Sequence, residues 1–300
     1  MKVLLLGANG QVGHELRRSL APLGEVIAAT RHGNATRSMP MADFDRPDTL
    51  ATLIETIAPG VVVNAAAYTA VDKAEDDQAA AFRINAEAPG VIAQACARAG
   101  AKFVHYSTDY VFDGSADRPL REDEATSPLG VYGASKLAGE QAVRTAGASH
   151  LILRTAWVYG ARGSNFMLTM LRLAAEREEL RVVADQSGTP TPASLIADVT
   201  AELLLRHPEA HGTFHLTAAG GTNWHAFAEA IINRAHARGL LERKPRVTAI
   251  ATADYPTRAK RPAYSRLDIT RLQQQLGHAL PDWSEGLDHV LDQWAEVRAT

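Results

Sequence analysis

Apolar and polar residues follow two different rhythms along the first half of the chain. Short continuous apolar runs, rich in Val, Leu and Ile, predict buried strands at residues 3–6, 25–29, 61–64, 102–107 and 151–155. Longer stretches with helical spacing of apolar positions predict helices at residues 11–20, 48–57, 76–85, 88–99 and 132–145. This alternation predicts an α/β fold, in which helices cover both faces of a doubly wound parallel sheet.

The rhythm changes after residue 157. The predicted elements are then a long amphipathic helix, a short strand, a Pro-containing turn before another helix, a strand that returns to the sheet, and two further helices, at residues 165–178, 180–183, 188–192, 212–216, 224–238 and 283–297. We therefore predict a main domain at residues 1–157 and 189–217, beside a smaller, discontinuous lobe at residues 158–188 and 218–300.

Composition narrows the class of ligand and the compartment. The chain has 300 residues with 31 basic and 34 acidic side chains, and its net charge of -3 shows no broad preference for nucleic acid or a membrane surface. A small, diffusible ligand is favoured. The only cysteine, Cys96, lies in an apolar helical stretch, so we expect a buried, inert thiol and a reducing compartment. Residues 1–6 are typical of a strand rather than a leader, and no apolar run is long enough to span a bilayer, so we expect a cytoplasmic protein.

A glycine-spaced turn, Gly7-Ala8-Asn9-Gly10-Gln11-Val12-Gly13, links the first predicted strand to the first predicted helix. In that setting Gly7, Gly10 and Gly13 would allow a tight turn, a close approach to a pyrophosphate and close packing of helix on sheet. In the alternative interpretation, the same glycines only form a turn and bind no ligand. The strand–turn–helix context favours a dinucleotide site of the Rossmann type, with Asn9, Gln11 and Val12 as its other contacts.

The end of the second predicted strand bears on the choice of cofactor. Enzymes that prefer NAD usually place a carboxylate there, whereas this chain has Thr30 and Arg31. Arg31 suits the 2′-phosphate of NADPH, so NADPH is favoured and NADH is possible; the alternative is a solvated loop arginine. Asp43 and Phe44 follow a further predicted strand and would contact the adenine, although a loop acid beside a buried aromatic ring explains them nearly as well. Small side chains at residues 65–67 (Ala65, Ala66 and Ala67) leave room for cofactor ribose.

Tyr132 and Lys136 are four residues apart in a predicted helix and therefore share a face. An ammonium group beside the phenol would favour its ionised form, which makes a tyrosine with an ordinary pKa near ~10 a usable proton donor and acceptor. This spacing is also common on solvated helix faces. The glycine turn makes a hydride-transfer enzyme the favoured interpretation.

Thr108 follows the strand at residues 102–107, at the carboxyl edge where ligands bind in such sheets. Its hydroxyl would hydrogen-bond both a substrate carbonyl oxygen and the phenol of Tyr132, as a carbonyl reductase requires. The run Ser107-Thr108-Asp109 is also an ordinary capping or turn sequence. Asp109 is equally consistent with a contact to a sugar hydroxyl and with a structural cap.

These motifs resemble those of extended short-chain dehydrogenases/reductases over the full length, and specifically the dTDP-4-dehydrorhamnose reductase family. The glycine turn and the Tyr132–Lys136 segment mark only the superfamily, whereas residues 64–75, 107–114 and 154–160 are distinctive of the family. The matching segments are residues 7–13, 64–75, 107–114, 132–140, 154–160, 165–166, 185–188, 261–262 and 265–268.

The resemblance implies that Tyr132 protonates the C4 oxygen of a dTDP-4-keto-6-deoxy-L-sugar, that Lys136 tunes Tyr132 and holds the nicotinamide ribose, and that Thr108 bridges to the substrate. The product would be dTDP-L-rhamnose, a precursor of cell-surface polysaccharide, and the smaller lobe would bind the sugar nucleotide. The remaining implied contacts are Tyr106 for the cofactor and Thr69, Asp109, Trp157 and Asn165 for the substrate.

Two alternatives stay open. One is a nucleotide-sugar epimerase or dehydratase, which recycles a tightly bound oxidised cofactor; the other is a non-catalytic, NADP-binding regulatory subunit, because a subunit of methionine adenosyltransferase resembles this fold. No partner is expected beyond a dTDP-sugar and a possible second copy of the chain. No metal is expected either: Glu15 would be one ligand of the magnesium described at a dimer contact in some relatives, but residues 188–195 offer no carboxylate beside it, and His105, His215 and His225 lack metal-ligand spacing.

Overall fold

A computed structural model describes residues 1–34 and 38–299 and shows a six-stranded sheet in which every neighbouring pair of strands is parallel. The sheet strands are β1 (Lys2–Leu6), β2 (Glu25–Ala29), β3 (Val61–Asn64), β4 (Lys102–Thr108), β5 (His150–Thr155) and β10 (Gly212–His215). Their spatial order is β10-β5-β4-β3-β1-β2, so the direction of winding reverses between β1 and β3. The predicted α/β, doubly wound fold is confirmed, and ligands bind such sheets at the carboxyl edge of this reversal.

Shorter strands and eleven helices complete the described part of the chain. Three two-stranded pairings join β6 (Val158–Tyr159) to β9 (Thr191–Pro192), β7 (Glu179–Val183) to β12 (Arg246–Ile250), and β8 (Ser187–Gly188) to β11 (Thr222–Asn223). The helices are α1 (Gln11–Ser19), α2 (Asp48–Ile57), α3 (Val71–Ala74), α4 (Gln78–Phe82), α5 (Ala88–Ala99), α6 (Val131–Thr145), α7 (Phe166–Glu176), α8 (Ala193–Arg206), α9 (Trp224–Ala237), α10 (Thr270–Leu276) and α11 (Trp283–Ala299). None of these helices is both long and apolar enough to cross a membrane.

The core of the sheet has two layers, because successive side chains of a strand point to opposite faces of the sheet. Val3 and Leu5 of β1 pack in one layer with residues of α1 and α8, whereas Leu4 and Leu6 pack in the other with residues of α2 and α5. Both faces of β1 are therefore buried, which explains why it is a continuous apolar run. Cys96 lies in the layer formed with α2 and α5, where burial raises the pKa of its thiol to about 12 and keeps it protonated.

Two predicted elements differ from the structure, and in each a proline supplies the physical reason. The strand expected before Asp43 is wrong: the described residues there make isolated bridges, Met41 with Thr30 and Met39 with Asn34. Pro40 has no N–H to donate to a ladder. The helix expected over residues 76–85 is short α4 followed by a wide π-helical turn over Arg83–Glu87, because Pro89 cannot donate to the carbonyl group four residues earlier.

A second apolar core lies outside the sheet. It is formed by α7, α9 and α11 with the β7–β12 pair, and its fully buried members include Tyr159, Phe227 and Leu287. The predicted division into residues 1–157 with 189–217 and 158–188 with 218–300 stays a prediction. Leu272 and Leu276 of α10, which that division assigns to the lobe, pack in the core of the sheet.

A buried ion pair fixes α6 to β5. The guanidinium of Arg154 donates through Nε and Nη2 to the two carboxylate oxygens of Glu140 at 2.9 and 2.8 Å, and Arg144 donates to the same carboxylate at 2.6 Å. Burial alone would raise the pKa of Glu140, but the hydrogen bonds and charge of Arg154 hold it below its usual value. The side chains of Glu140 and Arg154 are 0% and 3% exposed, so neither charge can be hydrated if the other is lost.

We expect Glu140→Gln to lower the free energy of unfolding by about 3–5 kcal/mol, because it leaves a buried guanidinium without its counter-charge. Glu55→Gln is the matched control: Glu55 pairs with Arg98 at 3.2 Å, but both side chains are 57% exposed, and such pairs contribute roughly 0–1 kcal/mol. Urea unfolding followed by tryptophan fluorescence measures both variants. Equal losses in the two variants would contradict the structural role of the buried pair.

Candidate active site

The glycines of the first turn meet other backbone atoms at distances that exclude a side chain. A Cβ atom at Gly13 would lie 2.1 Å from the carbonyl oxygen of Gly7, and one at Gly7, whose φ is +78°, would lie 2.6 Å from the amide nitrogen of Ala66. The N–H of Gly10 donates to the carbonyl of Gly7 at 3.0 Å. The start of α1 is thereby held at the carboxyl ends of β1 and β3, where its unpaired N–H groups suit a pyrophosphate.

A cavity of about 330 Å³ opens beside this turn. Its lining includes seven of the predicted cofactor contacts: Gly7, Asn9, Gly10, Arg31, Phe44, Ala66 and Ala67. Its other lining residues are Thr30, His32, Gly33, Ala42, Asp45 and Ile84. A volume of this order is at the lower end of the range for small-molecule sites, roughly 300–1,000 Å³. The cavity therefore fits part of a dinucleotide, with the backbone of the glycine turn on one side and a small aromatic and apolar wall on the other.

The other predicted cofactor contacts lie outside this lining, namely Gln11, Val12, Gly13, Asp43, Ala65, Tyr106 and Lys136. Several of their side chains have partners within the protein. The phenol of Tyr106 hydrogen-bonds the hydroxyl of Thr200 at 2.8 Å, and Asp43 accepts from the backbone N–H of Asp45 at 3.1 Å. Gln11 donates to the carbonyl of Ser164 at 3.3 Å. Their contact with a cofactor stays a prediction.

Arg31 is paired within the protein, which the sequence did not indicate. Its guanidinium forms an ion pair with Asp45, and the same carboxylate accepts a hydrogen bond from Arg83 at 2.8 Å. The hydrogen bond from Arg83, supported by the charges of both arginines, holds the pKa of Asp45 below its usual value against the effect of burial. Arg31 is thus an exposed side chain paired with a carboxylate in the protein alone, and its contact with a cofactor phosphate stays a prediction.

The structure brings Thr108 and Tyr132 together at the carboxyl edge of the sheet. Thr108 ends β4 and caps the short turn that follows, since its hydroxyl accepts from the N–H of Tyr110 at 3.2 Å and donates to Asp109 at 3.0 Å. The same hydroxyl lies close to the phenol of Tyr132 and lowers the pKa of that phenol. The capping and catalytic interpretations of Thr108 are therefore compatible with one geometry.

Burial, not Lys136, dominates the proton affinity of Tyr132. Desolvation raises the pKa of the phenol to about 12; the neighbouring hydroxyl of Thr108 opposes this, and the charge of Asp109 adds to it. Lys136 instead donates to the carbonyl oxygen of Tyr106 at 2.6 Å, and its Nζ is 3.5 Å from Nε2 of His105. The expected lowering of the Tyr132 pKa by a neighbouring ammonium group is thus not seen in the protein alone. A phenol of this kind stays protonated and can donate to a ketone oxygen.

His105 lies beside Lys136 and Asn64 lies beside His105, and no role was predicted for either residue from the sequence. Asn64 Oδ1 accepts from the N–H of Ala66 at 3.0 Å, so its amide nitrogen faces Nδ1 of His105 at 3.3 Å. Burial and the charge of Lys136 hold the pKa of His105 well below its usual value. Because Nδ1 accepts from Asn64, the proton of the neutral ring is on Nε2, which therefore does not accept from Lys136; the hydrogen bond of Lys136 is to Tyr106. Burial lowers the pKa of Lys136 itself to about 8.

The predicted substrate residues are placed differently from one another. Asp109 is 2% exposed, and burial raises its pKa to about 6 against hydrogen bonds from Ser265 and Thr108. Thr69 is exposed after β3. The side chain of Asn165 caps α7, donates to Gln11 at 2.8 Å and accepts from Leu168 at 3.0 Å, so its polar atoms are already used within the protein.

Trp157 lies in a constrained position between a glycine and a second indole. Its φ is +48°, which is rare for a bulky residue, and its ring stacks on Trp224 with centroids 3.5 Å apart and planes 6° apart. A Cβ atom at Gly188 would lie 2.3 Å from its Cε2 atom. The surroundings thus determine the orientation of this indole.

A segment with no role predicted from the sequence lies near Tyr110, the neighbour of Tyr132. Arg261 donates through both Nη atoms to Asp72 at 3.1 and 2.7 Å, and the backbone N–H of Ala259 donates to the same carboxylate at 3.0 Å. Burial raises the pKa of Tyr110, whose ring packs edge-on against Tyr132 at 5.5 Å; the charge of Arg261 opposes this rise and that of Asp72 adds to it. The described side chains include no group of three or more His, Cys, Asp or Glu residues arranged to hold a metal ion.

Comparison with known proteins identifies the relatives of this chain. Residues 1–296 match the family described as RmlD substrate binding domain. The chain belongs to the RmlD family. A family member from Burkholderia thailandensis, dTDP-4-dehydrorhamnose reductase, is 51% identical over 94% of this chain and 95% of its own, and the enzyme of the same name from Escherichia coli K12 is 46% identical over 98% of each.

Solved structures of RmlD relatives share the fold. The dTDP-4-dehydrorhamnose reductase of Clostridium acetobutylicum superposes with a TM-score of 0.90 at 37% identity, covering 98% of this chain and 100% of that one. That of Bacillus anthracis, solved in complex with NADP, gives 0.88 at 34% identity, covering 97% and 99%. A UDP-glucose 4-epimerase from Thermus thermophilus gives 0.82 at 19% identity over 98% and 99%, which shows the shared fold alone.

We expect Lys136→Met to weaken binding of the predicted nicotinamide cofactor and to remove an alkaline limb from the pH profile. Lys136 is cationic below its pKa of about 8 and neutral above it, so kcat/KM for the cofactor, which reports groups of the free enzyme, should fall as pH rises through that value. The variant should show no such limb. Lys102→Met is the control. Lys102 lies at the start of β4, at the opposite end from Thr108, and donates to the backbone carbonyls of Pro208 and Ala210 at 2.5 and 2.6 Å. An unchanged profile and unchanged calorimetric affinity in Lys136→Met would contradict this role.

Proposed function

We propose that this protein reduces the C4 keto group of dTDP-4-dehydro-β-L-rhamnose to dTDP-L-rhamnose with NADPH, NADH being a possible substitute. The observation that carries the proposal is the meeting of Thr108 and Tyr132, with Lys136 on the same helix, at the carboxyl edge of the sheet where the glycine turn also lies. Support comes from the relatives called dTDP-4-dehydrorhamnose reductase and from one of them that binds NADP.

The residues present fit a dinucleotide. Gly7 and Gly10 offer backbone without side chains at the start of α1, Phe44 and Ala66 line the wall of the cavity, and Arg31 lies at its mouth. When bound, the reduced nicotinamide supplies the two electrons of the reduction. Lys136 would hold the cofactor ribose, while its bond to the Tyr106 carbonyl keeps its position fixed.

The proton comes from the chain. Tyr132 has a pKa of about 12 and is therefore protonated at neutral pH, so its phenol can donate to the C4 oxygen as negative charge develops there. The hydroxyl of Thr108 stabilises the same oxygen by a second hydrogen bond. The phenolate left behind then takes a proton from solvent, which completes the balance of ketone, reduced cofactor and one proton giving alcohol and oxidised cofactor.

Tyr132→Phe tests the proposal. Removing the transferable proton should lower turnover at least ~100-fold, the lower range for general acid catalysis, while the ring packing is kept. Tyr159→Phe is the control: Tyr159 is buried in the second core, and no hydrogen-bond partner for its hydroxyl is described. The assay follows NADPH absorbance with the dTDP-4-keto sugar. Stoichiometric release of NADP⁺ supports a reductase, whereas retained cofactor and a changed sugar epimer would indicate an epimerase, and no turnover of any kind a binding subunit.

Arg31→Ala tests the choice of cofactor. A charged hydrogen bond to the 2′-phosphate is worth roughly 1.5–3 kcal/mol, so the variant should lose about ten- to a hundredfold in the ratio of kcat/KM for NADPH to that for NADH. Thr30→Asp should shift the ratio further toward NADH by offering a ribose acceptor and repelling phosphate. If the wild type already favours NADH, or if Arg31→Ala leaves the ratio unchanged, the preference for NADPH must be withdrawn.

Further features stay predictions from the sequence. They are a homodimer, a cytoplasmic location, the supply of rhamnose to cell-surface polysaccharide, and a substrate-binding role for the lobe at residues 158–188 and 218–300. The sugar contacts expected from Thr69, Asp109, Trp157 and Asn165 belong to the same group. For two of these four the position supports the expectation: Asp109 is buried beside Thr108, and the half-buried indole of Trp157 is held against Gly188.

A further inference from the structure

Asp45, which lines the glycine-turn cavity, forms ion pairs with two guanidinium groups. One carboxylate oxygen pairs with Arg31, and the other accepts from Nη2 and Nε of Arg83 at 2.8 and 3.3 Å. The three side chains come from separate segments: the end of β2, the loop before α2 and the π-helical turn at residues 83–87. The backbone N–H of Asp45 donates to Asp43 at 3.1 Å, which fixes the turn that presents the carboxylate.

The position of Asp45 matters because β2 ends without an acid. Thr30 occupies the place where an NAD-binding sheet usually offers a carboxylate to the ribose hydroxyls. Among the described residues that line the cavity, Asp45 is the one carboxylate. A ribose 2′-hydroxyl that enters beside Arg31 would therefore find an acceptor from a different loop.

The same arrangement has a different consequence for a 2′-phosphate. Two guanidinium groups and one carboxylate carry a net charge of +1, and the carboxylate repels an incoming phosphate while the arginines attract it. The side chains of Arg31, Asp45 and Arg83 are 63%, 31% and 36% exposed. Ion pairs this exposed are weak, so the arginines can leave Asp45 for a phosphate at little cost in free energy.

We propose that Asp45 sets the cofactor specificity of this enzyme: it accepts the 2′-hydroxyl of NADH, and it releases Arg31 and Arg83 to the 2′-phosphate of NADPH. The inference rests on the proposed use of a nicotinamide cofactor, and it adds Arg83 as a second phosphate ligand. Asp45 acts as an internal anion that occupies the phosphate position when no phosphate is there. The site is then adapted to both cofactors rather than to one.

The experiment measures binding of two nucleotide fragments, 2′,5′-ADP and 5′-AMP, to the full chain by titration calorimetry. In Asp45→Asn the arginines lose their competing anion, so 2′,5′-ADP should bind about tenfold more tightly, whereas 5′-AMP should bind equally or more weakly. Arg83→Ala should weaken 2′,5′-ADP by about tenfold or more and leave 5′-AMP nearly unchanged. The ratio of kcat/KM for NADPH to that for NADH should rise in Asp45→Asn and fall in Arg83→Ala.

Controls separate specificity from a structural role. Glu55→Gln, which breaks an arginine–carboxylate pair elsewhere on the surface, should leave both affinities unchanged. In an Arg31→Ala background, Asp45→Asn should have a smaller effect on 2′,5′-ADP, as expected of residues that share partners. Equal changes for both fragments in Asp45→Asn, or weaker binding of 2′,5′-ADP, would show that Asp45 only holds the loop and would overturn the inference.

The fragments keep this test independent of the reaction. They lack nicotinamide and require no sugar, so discrimination between them stands or fails without turnover. An enzyme that discriminates the fragments as stated but does not reduce the keto sugar would overturn the proposed reaction and support the role of Asp45. An enzyme that reduces the sugar but does not discriminate would overturn the role of Asp45 alone.

Discussion

Close packing of α6 against neighbouring backbone is the constraint on which the rest of the site depends. A Cβ atom at Gly133 would lie 2.2 Å from the carbonyl oxygen of Tyr110, and one at Gly139 would lie 2.0 Å from that of Asn85. Glu140 anchors the same helix to β5 through Arg154. Tyr132 and Lys136 are therefore presented by an element that cannot shift without breaking backbone contacts, and such rigidity is what positions a proton donor accurately.

Burial that fixes α6 also sets the charges of its functional groups. Desolvation disfavours the charged form of any group, so it moves the phenol and the amine in opposite directions: the pKa of Tyr132 rises to about 12 and that of Lys136 falls to about 8. In the protein alone, the phenol of Tyr132 is therefore protonated, and Lys136 on the same helix loses its proton more readily than an ordinary lysine. In the direction of reduction this is the useful state, because the phenol must give a proton and the carbonyl oxygen must receive it.

Most of the sheet could be predicted because its inner strands are buried and form nearly uninterrupted apolar runs; the buried strand at residues 61–64 and the half-buried edge strand at residues 25–29 have the predicted bounds. Strand β12 could not, since its five residues Arg246–Ile250 are mixed in character and its partner β7 lies more than sixty residues earlier. The strand expected before Asp43 failed for a local reason, the missing N–H of Pro40.

The site divides in the same way. Spacing along one helix suggested Tyr132 and Lys136, and strand-to-helix context suggested the glycine turn. The partners of Lys136 depend on the register of β3 with β4, which sets Asn64 opposite His105. The meeting of Asp45 with Arg83 depends on a π-helical turn that no spacing rule indicates. Local pattern thus indicated the candidate catalytic and cofactor-binding groups, and tertiary packing decided what each of them contacts.

The stacked pair of Trp157 and Trp224 has a consequence for how the molecule can be observed. Trp157 follows β5 of the sheet, whereas Trp224 begins α9 of the second core, so the two indoles join the two cores. Nearly parallel rings at 3.5 Å interact electronically as well as by dispersion. Their near-ultraviolet circular dichroism therefore belongs to a coupled pair, and any movement of the second core that separates the rings would remove the coupling. The near-ultraviolet circular dichroism of this pair therefore reports how the core of the sheet and the second core are placed relative to each other.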